Sequence, residues 1–306
     1  MGNWNQTSLT EFILTGLSLN VGIQLFLFVL FLLMYILTVC GNIVLICTVI
    51  VSSHMHTPMY YFLCNLSFLD LFYISITVPK MLSDIFIIGG GRISFIGCMI
   101  QMDISLFLGE TECILLAVMA YDRYVAICLP LHYMVIMSRK VCKNITIIMW
   151  LGCFTLTTLP SILKPLTFCS RNKINHFTCE SLAILELACG DTSFHETLIF
   201  FVSIFTLLSP FAFILTTYLC IIRSILNITS VTGRNKAFST CASHLTVVLM
   251  FYGTSMNMYM GLGKAFPESQ KYVSIIYVIV TPMLNPLIYS LRNNDVKVAV
   301  KKMFGQ

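Results

Sequence analysis

Long apolar windows separated by short polar breaks run the length of the chain, and seven of them reach the ~20 residues that a helix needs to cross a hydrocarbon core. The predicted spans are 23–50, 58–84, 94–127, 141–164, 194–226, 235–260 and 271–291. Turn chemistry sits where the pattern breaks. Pro58 opens the second span, Gly89-Gly90-Gly91 closes the turn after it, and Pro130 stops the third. One connection is long, from about Pro165 to Phe194, and it is rich in Cys and acidic residues. Beyond Arg292, Val296, Val298, Val300, Met303 and Phe304 alternate with Lys297, Lys301 and Lys302, which predicts a short amphipathic helix on the inner leaflet. The predicted fold class is an all-α membrane protein. A tail (1–22) precedes a seven-transmembrane helix bundle (23–291), and 292–306 carries the amphipathic helix.

Composition agrees. Of 306 residues, 58% are hydrophobic and 10% charged, against roughly a quarter charged in soluble domains. Seven spans put the termini on opposite sides of the membrane. With the first residue outside, the inner set is Arg123, Arg139, Lys140, Lys143, Arg223, Arg234, Lys236, Arg292, Lys297, Lys301 and Lys302, which is 11 of the 18 basic residues. This excess favours that orientation. Asn5-Gln6-Thr7 is a glycosylation sequon and requires its tail to face the secretory lumen. Asn65 lies inside a span, and Asn144 and Asn227 fall on the inner side, so their sequons carry less weight. Residues 1–22 lack a basic n-region, so the first span is expected to act as an uncleaved signal anchor. Gln6 occupies the Ser/Thr position that N-myristoylation of Gly2 demands.

Most of the 13 cysteines lie within spans, but Cys98, Cys169, Cys179 and Cys189 map to the outer side. Four thiols in an oxidising compartment make two bridges, in any of three pairings. A bridge from Cys98 would pin the long loop over the helix mouth. Enzymes and transporters find little support: there is no GxSxG, no HExxH and no inverted repeat.

An ionisable group at mid-bilayer costs ~2.5 to 3.5 kcal/mol on insertion scales, so Asp70, Glu110 and Glu112 are functional candidates by position. Met102, Leu106, Gly109 and Cys113 form a stripe facing the bundle, with Ser105 beside it and Glu110 on its flank. At about 100° per residue, Glu110 and Glu112 stand some 200° apart and are expected on different walls. Glu110 suits either a ligand alcohol or amine, or a Ser or Tyr on the fourth or fifth helix.

HTPMYYFL (His56 to Leu63), LSFLDL (Leu66 to Leu71), MAYDRYVAIC (Met119 to Cys128), PLHY (Pro130 to Tyr133), KAFSTCASHL (Lys236 to Leu245) and PMLNPLIYSLRN (Pro282 to Asn293) together resemble the signature set of vertebrate odorant receptors. KAFSTCASHL and the short third outer loop resemble the tetrapod, class II type. Phe251-Tyr252-Gly253 stands where rhodopsin-like receptors usually carry Trp and a kinking Pro, a departure that odorant receptors share.

The resemblance implies an odorant cavity in the outer half of the bundle, at Met102, Ser105, Leu106, Gly109, Glu110, Ile199, Val202, Ser203, Thr206, Tyr252, Tyr259, Ile275 and Val278. It puts Asp70 and Glu112 near Asn42 and Asn285 in a polar core, where a carboxyl pair suits a sodium ion or a shared proton; no other cofactor is expected. It implies a resting Asp122–Arg123 pair followed by Tyr124, with Arg123 swinging toward Tyr218 and Tyr289 as the sixth helix moves. Lys236 faces the same crevice, and His244 lies deeper. His176-Phe177-Thr178-Cys179-Glu180 looks like a metal string, but Cys179 is the expected partner of Cys98, and a bridged sulfur is a poor ligand. The implied partners are a small volatile odorant, a heterotrimeric G protein of stimulatory type that raises cyclic AMP, and the bilayer, with no nucleic acid. The implied location is the plasma membrane.

Overall fold

The computed structural model describes residues 9–17, 20–169, 171–227, 230–260, 268–292 and 294–303. Seven long helices alternate in direction to form one bundle: α1 (Val21–Val51), α2 (Pro58–Asp84), α3 (Phe95–Cys128), α4 (Arg139–Leu163), α5 (Ser193–Leu226), α6 (Val231–Tyr259) and α7, which joins Glu268–Ile275, Ile276–Val280 and Thr281–Arg292. A final helix, α8 (Asn294–Met303), follows. Each bundle helix begins and ends within four residues of its predicted edge. Among the described residues six helices are apolar enough to span a membrane on composition alone. The exception is α6, whose first half, Arg234 to His244, is polar.

Helix starts follow local chemistry. Asn20 accepts from the Gly22 and Ile23 amides at 3.0 and 3.3 Å, Ser94 caps α3, Ser138 caps α4, and Pro58 takes the first turn of α2, where a missing N–H costs nothing. Inside the spans, hydroxyls bond back to the carbonyl four residues earlier, as Thr38 does to Met34 at 2.7 Å and Thr216 to Ala212 at 2.8 Å. Such bonds let a polar side chain sit in hydrocarbon. Large apolar side chains on the outer faces, such as Phe26, Leu33, Ile148 and Phe205, have no protein cover. Lipid supplies it.

Two helices carry a π turn: Ile204–Leu208 in α5 and Ile276–Val280 in α7. Each is followed within two residues by a proline, Pro210 and Pro282. A proline ring clashes with the carbonyl four residues back, here Thr206 and Val278, and the widened turn moves that carbonyl aside. Thr281 closes the second one, its Oγ1 donating to the Ile276 carbonyl at 3.1 Å. Elsewhere α7 presses close to α1. A Cβ added at Gly41 would stand 3.1 Å from Pro286 Cγ, so glycine permits that approach.

One end of the bundle holds a three-stranded sheet of order β2-β1-β3: β1 (Glu11–Leu14), β2 (Gly91–Ser94) and β3 (Lys173–Ile174). Part of the tail before α1 is thus a strand of this sheet. Phe12 and Leu14 alternate with Glu11 and Ile13, and both sink into a second apolar cluster with Cys98, Ile174, Cys179 and Ile184. Four residues of alternation are too few to stand out in a sequence. On α8, Val296 and Ala299 are buried and Val300 packs partly against the bundle, whereas Val298 of the expected apolar face is exposed. The buried stripe follows spacings of three and four, not two.

Candidate functional site

A cavity of about 150 Å³ opens among α3, α4, α5, α6 and α7 in the half of the bundle next to the sheet. Met102, Ser105, Leu106, Gly109, Glu110, Ile199, Val202, Ser203, Thr206 and Tyr259 line it, together with Cys113 of the α3 stripe. Three members of the expected set do not. Tyr252 is fully buried one position round α6, where its hydroxyl donates to the Cys113 carbonyl at 2.7 Å and ties α6 to α3. The lining stripe on α6 is instead Phe251, Ser255 and Tyr259, at spacings of four. From α7, Tyr277, within the π turn, lines the cavity in place of Ile275 and Val278.

Glu110 and Glu112 both border the cavity. The space wraps around α3 far enough to reach both flanks. Glu110 Oε2 accepts from Thr157 Oγ1 on α4 at 3.0 Å. Just above, Ser161 donates to Asp103 at 2.9 Å. Sequence reading missed the α4 wall of Leu156, Thr157, Pro160 and Ser161, and also Tyr73 on α2. Pro160 within a span was the available signal.

A loop roofs the cavity. Cys98 at the head of α3 is bridged to Cys179, and Cys169 to Cys189. Glu180 accepts from the amides of Leu182 and Ala183 at 2.8 and 3.0 Å, and from the hydroxyls of Ser181 and Tyr259, both at 3.1 Å. Burial nonetheless pushes its pKa up. His176 sits between the Thr178 backbone and Ser274 Oγ, the latter at 2.9 Å, while buried Lys271 bonds Asn175 at 3.1 Å. Burial first, and the nearby Lys271 charge second, hold the His176 pKa down at about 3. Cys179 is thus bridged, and His176 and Glu180 are both engaged within the roof.

Beneath the cavity lies the polar core. Asn285 Nδ2 donates to both Asp70 oxygens, at 3.0 and 3.1 Å, and Asn42 Nδ2 donates to the carbonyls of Thr38 and Pro282. Asn42 Oδ1, Asn285 Oδ1 and Glu112 Oε1 are buried with no hydrogen-bond partner among the described residues. Orphaned oxygens next to a carboxylate are the donor set a hard cation takes.

At the opposite end from the sheet, Arg123 pairs with one oxygen of Asp122, and Tyr133 Oη donates to the other at 2.8 Å. Tyr124 is half-buried next to them. Tyr218 shares a hydrogen bond of 2.8 Å with His244 Nδ1 and stacks on its ring, which gives His244 a partner that sequence did not. The hydroxyl of Tyr289 and His244 Nε2 are buried without hydrogen-bond partners among the described residues. Asn5 and the side chain of Lys236 lie outside the described residues.

A family model described as olfactory receptor matches residues 31–306. The chain is 48% identical to human olfactory receptor 13F1 over 303 residues, covering 98% of this chain and 94% of that one. It is 46% identical to mouse olfactory receptor 2A7, covering 99% and 98%. In structure it resembles squid rhodopsin, with a TM-score of 0.72 at 17% identity, over 94% of this chain and 87% of that one. Seven helices enclosing a roofed cavity, with near-complete coverage by such relatives, identify the chain as a member of the olfactory receptor family, G-protein-coupled membrane receptors that are not enzymes.

Proposed function

We propose that this receptor takes a small, largely apolar volatile molecule into the cavity under the Cys98–Cys179 loop and answers by engaging a stimulatory G protein at the Arg123 end, in the plasma membrane with its first residues outside. The observation that carries the ligand class is the cavity: about 150 Å³, mostly apolar walls, and a few convergent polar groups at Ser105, Glu110, Ser203 and Tyr259. Sites for drug-sized molecules run to ~300–1,000 Å³, so the fit is to a smaller compound. Burying roughly 300 Å² of apolar ligand at ~25 cal/mol per Å² yields about 7 kcal/mol before ordering costs, which means micromolar affinity or weaker.

Ligand contact with Tyr259 and Ser255 acts on α6, and Tyr252 carries that displacement to α3 through the Cys113 carbonyl. At the far end, movement of α6 separates His244 from Tyr218 and frees Arg123 from Asp122 for an effector helix. Asp70, Glu112, Asn42 and Asn285 would hold a sodium ion in the resting bundle, supplying the positive charge that two buried acids lack. Asp70→Asn is expected to change basal or agonist-driven signalling; unchanged behaviour in both removes this switching role.

The test of the whole reading is a volatile-ligand panel on cells expressing the receptor, with cyclic AMP as readout. Arg123→Ala must abolish the response at unchanged surface expression. A response that survives it, or an ion current in its place, defeats the reading.

A further inference from the structure

A second cavity, about 370 Å³, lies at the Arg123 end of the bundle but on its lipid-facing flank, between the end of α1, the start of α2 and the start of α4. Its two halves differ in chemistry. Ile50, Pro58 and Tyr61 provide an apolar wall, and Ile50, with 65% of its surface bare, faces the bilayer. Arg139, Lys143 and His56 form the rim. Arg139 and Lys143 are one helical turn apart on the same face of α4, both are exposed, and neither forms an ion pair with any described residue.

The charge balance of this end sharpens the picture. It carries 11 basic side chains and, apart from Asp122 and Asp295, no acids. Asp122 is already held by Arg123 and Tyr133, so the rim has no ion-pair partner among the described residues. None of its lining comes from α3, α5, α6 or α7, which form the crevice around Arg123, Tyr218 and His244. A partner docked in that crevice leaves this cavity to the bilayer.

We propose that the cavity binds an anionic glycerophospholipid of the cytoplasmic leaflet, its phosphate held by Arg139 and Lys143 and the first part of one acyl chain laid along Ile50, Pro58 and Tyr61. Guanidinium takes phosphate oxygens two at a time, and ammonium adds a point charge, so the pair suits a phosphodiester better than a sterol hydroxyl. The bound lipid braces α4 against α1 and α2 at the end where signalling occurs. This inference rests on that end being cytoplasmic.

The test uses the full-length receptor in phosphatidylcholine nanodiscs, with retained phosphatidylserine quantified by native mass spectrometry. Each basic residue near an anionic headgroup contributes roughly fivefold, so Arg139→Gln with Lys143→Gln should weaken retention roughly 30-fold. The charge-conserving pair Arg139→Lys with Lys143→Arg should keep most of it, which separates charge from misfolding. Equal retention by wild type and the double Gln variant overturns the proposal. So does displacement of the lipid by free inorganic phosphate at equal concentration, or by cholesterol. Both leaflets of a nanodisc hold the lipid, so this result is independent of sidedness. A C-terminal tag reached by antibody without permeabilising the cell would instead overturn the orientation.

Discussion

Removing the Tyr133 hydroxyl probes the resting state directly. Asp122 is 1% exposed, and its two oxygens are held by different groups, Arg123 on one and Tyr133 Oη on the other. A hydrogen bond to a charged group contributes ~1.5–3 kcal/mol. The lower figure applies, since Arg123 continues to neutralise the carboxylate in Tyr133→Phe. If that bond exists only while α3 is at rest, its loss moves the resting–active equilibrium by about 1.5 kcal/mol, or roughly 12-fold. A receptor active about 1% of the time then becomes active about 11% of the time. Basal nucleotide exchange on a reconstituted stimulatory G protein should therefore rise about tenfold, with the agonist maximum unchanged. Tyr121→Phe is the control: Tyr121 stacks on Tyr124, but its hydroxyl makes no hydrogen bond among the described residues. Unchanged basal exchange in Tyr133→Phe at matched receptor concentration refutes the reasoning, as does an equal rise in both variants.

Two glycines should respond in opposite ways. Gly109→Val projects into open space and should keep surface expression while raising the EC50 of larger ligands, whereas Gly41→Val meets Pro286 and should cost ~1–3 kcal/mol, read as lost surface expression. Glu110→Gln should lower the potency of alcohol or amine agonists by ten-fold or more and spare ketones of the same length; equal potency for all three classes would show that Glu110 serves only Thr157. The roof should loosen in acid. His176 is held neutral when docked, with a pKa of about 3, against an ordinary value of 6.5 once released. The released state binds the extra proton, so docking is complete above about pH 6.5 and weakens as pH falls toward 3, by about 1.4 kcal/mol at one unit below 6.5. Lys271 and Glu180 flank the site, and hydrogen exchange at Asn175 to Thr178 should accelerate between pH 6.5 and 5 in wild type but not in His176→Gln.

The chain alone settled what depends on short-range chemistry. Bilayer thickness imposes the ~20-residue apolar period, so all seven helices were legible to within a turn. The α3 stripe of Met102, Leu106, Gly109 and Cys113 was legible for the same reason: α3 is regular where it lines the cavity, and regular spacing maps straight onto a face. The Asp122–Arg123 pair of MAYDRYVAIC was legible too, because it forms between chain neighbours. What the chain could not decide was rotation and long-range pairing. In α7, Tyr277 lines the cavity where Ile275 and Val278 were expected, and one step around α6 exchanged Tyr252 for Phe251 and Ser255. The partners of Glu110, His244 and His176 lie 47, 26 and 98 residues away along the chain. Nothing local encodes such contacts, and only the packed bundle brings them within hydrogen-bond reach.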